Sequence, residues 1–165
     1  MYYTIFKTWL CDMIFVGDKQ GISKLHLLNG KGNENFRISE DWIENRSCFE
    51  DQIRQVEEYL KGNRKTFNMK LNPEGSEFQK KVWRELCKIP YGETAKYKEI
   101  AALIGNSNAS RAVGAANGKN PIPIIIPCHR VVGSDGKLTG YAFGLGIKQK
   151  LISLEKGDFE RVDTI

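Results

Sequence analysis

The sequence has no run of apolar residues near the roughly 20 that a membrane-spanning helix requires. Its start, MYYTIFKTWLCDM, also lacks the charged first region and the small-residue cleavage site of a secretory signal. Both absences point to a cytoplasmic protein with no membrane partner. Cysteine is scarce: Cys11, Cys48, Cys87 and Cys128 lie far apart, with no Cys-x-x-Cys pair. Histidine is scarcer still, at His26 and His129 alone. Metal-ligand spacing and a disulfide framework are therefore not expected, and each cysteine is either a small buried hydrophobe or a reactive thiol.

What is present is the composition of a globular domain: 165 residues, 41% apolar and 27% charged. The net charge of +5 is unevenly spread. Residues 78–154 carry 12 Lys/Arg against 4 Asp/Glu. Such an excess is either a solvated surface or a face for phosphate, and charge alone does not decide between them.

Patterning predicts an α+β protein in two parts, an N-terminal scaffold domain at 1–72 and a helical domain at 73–165. In the first, residues 2–9 and 13–16 read as strands, Gly17–Gly21 as a turn and Ile22–Leu28 as a further strand. A loop follows at Asn29–Asn35. Ser47 and Glu50 make a capping-box pattern for a helix carrying Phe49, Ile53, Val56 and Leu60, and Phe67–Leu71 reads as a closing strand. Nothing in 1–72 has catalytic spacing. Asn72-Pro73-Glu74-Gly75-Ser76 is the boundary, and Ser76 with Gln79 offers a second capping box. Helices are expected over Phe78–Leu86, Ala95–Ile104, Ala109–Gly118 and Leu145–Leu154, with a short strand at Ile122–Ile126 and a turn at Gly133–Gly136.

The middle pair of helices, joined through Gly105, makes a helix-turn-helix or an ordinary packed pair. The second helix, SRAVGAANGK, holds two glycines in ten residues. Each glycine costs about 1 kcal/mol relative to alanine. Close helix packing would explain them, and so would a thin helix pressed into a groove, with Arg111 and free N–H groups meeting phosphate. Beyond it, Cys128-His129-Arg130 ends the apolar run Ile124-Ile125-Ile126-Pro127. A thiolate is a nucleophile, and a neighbouring His or Arg lowers a thiol's pKa. A regular strand, however, would turn His129 away from Cys128. From these residues alone a thiol hydrolase that ignores DNA remains open.

The segment Asn120-Pro121-Ile122-Pro123-Ile124-Ile125-Ile126-Pro127-Cys128-His129-Arg130-Val131-Val132 closely resembles the active-site signature of the O6-alkylguanine-DNA alkyltransferases, the methylated-DNA–protein-cysteine methyltransferases. The resemblance extends upstream through Phe78, Val82-Trp83, Pro90-Tyr91-Gly92-Glu93-Thr94 and Arg111-Ala112-Val113-Gly114. Downstream it runs through Gly140-Tyr141, Leu145, Lys148 and Leu151 to Glu155, covering about residues 76–157.

The resemblance implies a ribonuclease-H-like N-terminal domain and a winged-helix-like catalytic domain that binds double-stranded DNA as a monomer, without a cofactor. Cys128 would take the alkyl group from O6-alkylguanine irreversibly, one lesion per molecule. His129 would accept the thiol proton through a water, and Glu155 would orient His129. Arg111 would fill the place of the flipped base, while Tyr97 rotates the nucleotide and protonates the leaving guanine. Carbonyls of Cys128 and Val131 would meet the exocyclic amine, the N–H of Ala142 would meet the guanine oxygen, Tyr141 would wall the pocket, and Asn120 would tie the turn that presents the thiol. Lys148 matches a further position of the family. Ala142 departs from the polar residue of many relatives, which bears on substrate range, O4-alkylthymine included. The alternative within this resemblance is a non-catalytic alkyltransferase-like lesion binder, whose pattern lacks the cysteine.

Overall fold

A computed structural model describes residues 1–29, 36–138 and 140–157. The chain opens with a meander in which β1 (Tyr2–Lys7), β2 (Asp12–Asp18) and β3 (Gly21–Leu28) pair antiparallel, and β4 (Ile43–Glu44) adds parallel to β1. The sheet order is β3-β2-β1-β4. One face carries Phe6, Met13, Phe15, Leu25 and Leu27 into the core, as the two-residue alternation of strands requires. Of the expected loop at Asn29–Asn35, all but Asn29 lies outside the described residues.

α1 (Glu50–Leu60) lays Ile53, Val56, Tyr59 and Leu60 on that face. The capping box expected at Ser47 and Glu50 does not form. A 3₁₀ turn, Arg46–Phe49, leads into the helix, and Ser47 instead donates to Asn45 Oδ1 at 2.6 Å. The strand expected at Phe67–Leu71 is also absent. The segment meets β3 only at a single Ile22–Leu71 bridge, where Ile22 N–H donates to Lys70 carbonyl and Asn72 N–H to Ile22 carbonyl.

The second capping box is present: Ser76 Oγ accepts from Gln79 N–H, and Gln79 Oε1 accepts from Ser76 N–H, at the start of α2 (Glu77–Leu86). β5 (Ala95–Lys96) takes the first turn of the expected second helix, so α3 runs only over Tyr97–Leu103. α4 (Ser110–Gly118) packs against α3 and α2, and Trp83 Nε1 donates to Ala116 carbonyl at 2.9 Å to pin α2 to α4. β6 (Val131–Val132) pairs parallel with β5, and α5 (Leu145–Lys156) closes the chain. One continuous apolar cluster runs from Phe6 in the sheet to Leu154 in α5. No helix among the described residues is long and apolar enough to cross a membrane.

Candidate active site

The segment before Cys128 folds as tight turns, not as the strand expected at Ile122–Ile126. Pro121, Pro123 and Pro127 cannot donate to a ladder, and Ile125 and Ile126 N–H turn back to the carbonyls of Pro123 and Ile122. Asn120 braces both ends: its Oδ1 accepts from Ile122 N–H at 2.9 Å and its Nδ2 donates to Ile126 carbonyl at 2.8 Å. Ile124 is held at φ 75°, a conformation that a β-branched residue avoids. Cys128–Arg130 is then a 3₁₀ turn. Three residues per turn fan the side chains into three directions, so Cys128 and His129 leave the turn toward different surroundings without the strict opposition of a strand.

His129 and Arg130 converge on Glu155 from α5. His129 Nε2 lies 2.6 Å from Glu155 Oε2, and Arg130 donates Nε to Oε1 at 2.8 Å and Nη2 to Oε2 at 3.0 Å. Gly92 N–H adds a bond to Oε1 at 3.2 Å. The last donor comes from the sheet unit, where Tyr59 Oη reaches Oε2 at 2.5 Å and stands 3.5 Å from His129 Nε2. All four side chains are buried. Burial raises Glu155's carboxyl pKa, but His129 and Arg130 more than reverse this and hold it at about 2. Burial holds His129 below its ordinary value, against the pull of Glu155. His129 is therefore a neutral imidazole that donates from Nε2, and its Nδ1 is left buried without a partner among the described residues.

On the other side of the turn, Cys128 reaches a cavity of about 270 Å³ that Tyr97, Asn117, Asn120, Tyr141 and Ala142 help to line. Burial raises the Cys128 thiol's pKa, with Asn120, Tyr141 and Lys148 pulling the other way. The sequence pointed to His or Arg beside the thiol; here the guanidinium of Arg130 is spent on Glu155 and on Ile89 carbonyl at 2.7 Å. Tyr141 is partly buried, its hydroxyl is buried with no nitrogen or oxygen partner among the described residues, and the thiol is a group that it faces. Lys148 is fully buried on α5, and burial lowers its pKa while Cys128 raises it. Val131 is buried in β6 beside Ala95.

Arg111 is exposed on the first turn of α4, away from the buried cluster. A Cβ at Gly118 would meet nothing within 4 Å, and one at Gly114 only Tyr97's ring at 3.8 Å. Packing inside the protein therefore does not demand either glycine. A larger concavity of about 380 Å³ between the β2–β3 turn and α1 holds no comparable titratable cluster. Among the described residues no group of three or more His, Cys, Asp or Glu could hold a metal ion.

Two contributors were not picked out from the sequence. Tyr59 is 70 residues from His129 and 96 from Glu155. Its one local signal is a tyrosine on the buried face of an amphipathic helix, where a hydroxyl requires a partner. Asn117, buried on α4, donates to Cys128 carbonyl at 3.4 Å while its Oδ1 has no partner among the described residues.

Comparison with known proteins bears directly on this arrangement. The family model described as "6-O-methylguanine DNA methyltransferase, DNA binding domain" matches residues 77–157, and that described as "6-O-methylguanine DNA methyltransferase, ribonuclease-like domain" matches residues 1–73. The methylated-DNA–protein-cysteine methyltransferase of Methanosarcina barkeri is 52% identical over 158 residues, which is 96% of this chain and 99% of that protein. The constitutive enzyme of the same name from Bacillus subtilis is 38% identical over 167 residues, at 94% and 95% coverage. Among solved structures, Mycobacterium tuberculosis OGT in complex with DNA superposes with a TM-score of 0.88 at 39% identity, covering 96% of this chain and 94% of that one.

Proposed function

The chain belongs to the 6-O-methylguanine DNA methyltransferase family, and from that premise we propose that its Cys128 receives the alkyl group in direct-reversal DNA repair. The enzyme is a methylated-DNA–protein-cysteine methyltransferase, its partner is DNA, and its substrate is O6-alkylguanine in the duplex. The observation that carries the reading is the two-sided turn at Cys128–Arg130. It directs one thiol into a cavity of nucleobase scale and anchors the neighbouring imidazole on a buried carboxylate.

In the reaction, Cys128 Sγ attacks the alkyl carbon. The S–C bond forms as the C–O6 bond breaks, the thiol proton passes through a water to His129, and Glu155 holds His129 in the tautomer that can receive it. Guanine leaves with a proton from Tyr97. The buried thiol is protonated at rest, so this relay creates the nucleophile when a substrate arrives. The thioether product has no leaving group that water can displace, and each molecule acts once. α4 enters the minor groove. Its glycines keep it thin, and Arg111 occupies the place of the flipped base. Carbonyls of Cys128 and Val131, the N–H of Ala142 and the ring of Tyr141 frame the base, and Asn120 and Lys148 hold the thiol's surroundings. Residues 1–72 and 73–165 act as two domains around one core, and the protein works in the cytoplasm.

Incubation with a duplex carrying O6-methylguanine tests the reading. Peptide mass spectrometry should find one added methyl on Cys128 and none on Cys11, Cys48 or Cys87, and Cys128→Ala should keep DNA binding while losing all transfer. An unmodified Cys128 after prolonged incubation overturns it. Binding to the lesion with no transfer would favour the lesion-sensing alternative.

A further inference from the structure

Glu155 is surrounded more completely than an orienting carboxylate needs to be. Five donors share its two oxygens: Arg130 Nε and Gly92 N–H on Oε1, and His129 Nε2, Arg130 Nη2 and Tyr59 Oη on Oε2. A carboxylate accepts at about four lone-pair positions, and Arg130's fork already fixes its plane through two of them. Tyr59 is therefore not needed to place Glu155. It competes with His129 for the same oxygen.

We infer that Tyr59 is a positioning residue that restrains the relay at rest: its hydroxyl saturates Glu155, keeps His129 a weak base, and so leaves the proton on Cys128 until a lesion is seated. For a protein that reacts once, a thiol spent on a stray electrophile is a lost molecule, and the restraint comes from α1 in the sheet unit. The contact carries it: Tyr59 Oη lies 2.5 Å from Glu155 Oε2, the oxygen that His129 Nε2 engages at 2.6 Å, and 3.5 Å from His129 Nε2 itself. Burial holds His129 below its ordinary value and raises the Cys128 thiol, so the resting relay pairs a weak base with a protonated thiol. Among the described residues, the charged and titratable groups facing the pair are few. Arg130 lies on the same turn, Lys148 approaches His129 from α5, and Tyr59 approaches from α1 with Tyr91 at its ring edge. Arg130 and Lys148 both oppose a proton on His129, so removing the Tyr59 donor leaves Glu155's pull on His129 stronger with no new group to counter it.

The inference deepens the proposed function but is tested without DNA. Iodoacetamide alkylates Cys128 when the thiolate displaces iodide, with the thiol proton taken up by His129. Its rate at Cys128, read by peptide mass spectrometry across pH, reports the relay itself. In Tyr59→Phe the acid-side inflection should move up by about one on the pH scale, and the plateau rate should rise about tenfold, the scale of one hydrogen bond to a charged acceptor. Below both inflections the rate should match the parent, because the roughly tenfold smaller neutral fraction of His129 offsets the roughly tenfold higher plateau. A variant merely loosened around Cys128 would react faster at every pH, and that outcome overturns the inference, as does an unmoved inflection.

Phe67→Leu, which alters packing on Tyr59's ring 5.3 Å away and keeps the hydroxyl, should leave the profile in place. Should Tyr59→Phe fail to fold, 3-fluorotyrosine placed at position 59 is a stronger donor and should lower both inflection and plateau; no change overturns the inference. A parent protein that shows these profiles but takes no methyl from O6-methylguanine DNA would sink the proposed function and leave the role of Tyr59 standing.

Discussion

The two sides of the Cys128–Arg130 turn are built on opposite terms. Behind it, Glu155, His129, Arg130 and Tyr59 form a buried polar knot, and with Gly92 N–H each of the two carboxylate oxygens is bonded more than once. In front, the cavity side keeps polar atoms without partners among the described residues, Tyr141 Oη and Asn117 Oδ1, next to a thiol that burial keeps protonated. Around the carboxylate the network is satisfied and rigid, and His129 Nδ1 is the one knot atom left without a partner among the described residues; an unsatisfied polar atom costs stability that is recovered when a ligand or water supplies the missing bond. The contrast separates the part that fixes the relay from the part that waits for a base.

Breaking the knot should have the largest effect. Glu155→Gln removes the only carboxylate that Arg130 meets among the described residues and leaves a buried guanidinium without its counter-charge. Breaking one member of a buried pair costs about 3–5 kcal/mol, so urea unfolding should show a loss of that order. A loss under 1 kcal/mol would mean that the knot does not hold the two halves of the fold together.

Acid should dissolve the same knot in two stages. His129 is held below its ordinary 6.5, so the unfolded chain binds the extra proton first and stability begins to fall as pH drops below about 6.5. Glu155, at about 2 against an ordinary 4.5, contributes stability that is fully present above about pH 4.5 and lost as pH falls toward 2. That second stage is worth about 3 kcal/mol. In Glu155→Gln the decline between pH 4.5 and 2 should flatten. If it keeps the parent's slope, other carboxylates carry the acid sensitivity.

The knot was only half legible in the sequence, for physical reasons. Cys128, His129 and Glu155 belong to the resemblance, and the capping box at Ser76 and Gln79 follows from a local rule that needs no tertiary partner. The Ile124-Ile125-Ile126 run looked like a strand because burial and β-branching favour one, but three prolines withhold ladder donors and Asn120 closes the loop instead. Phe67–Leu71 alternates like a strand yet finds only one bridge on β3. Arg130 read as a cation for the thiol because it is adjacent in sequence, and the 3₁₀ turn aims it elsewhere. Tyr59 was invisible because its partners arrive from α5 and the turn, far along the chain. The reading of 1–72 as scaffold alone is therefore incomplete, since that unit supplies a donor to the knot.

The cavity side should answer with the smallest change in stability. Tyr141→Phe removes a buried hydroxyl that has no nitrogen or oxygen partner among the described residues and faces the Cys128 thiol, a weak donor and weak acceptor. Its ring contact with Phe143, at 5.9 Å between centroids, survives the substitution. Removing an unpaired buried polar atom relieves a desolvation cost instead of breaking a bond, so the urea midpoint should stay the same or rise, within about 1 kcal/mol. The thiol, by contrast, loses one of the groups that favour its ionised form, so its plateau rate toward iodoacetamide should fall while the inflection set by His129 stays in place. The two readouts together decide the comparison. A clear loss of stability would show that Tyr141 Oη is already satisfied, and the difference between a finished knot and an unfinished cavity would disappear.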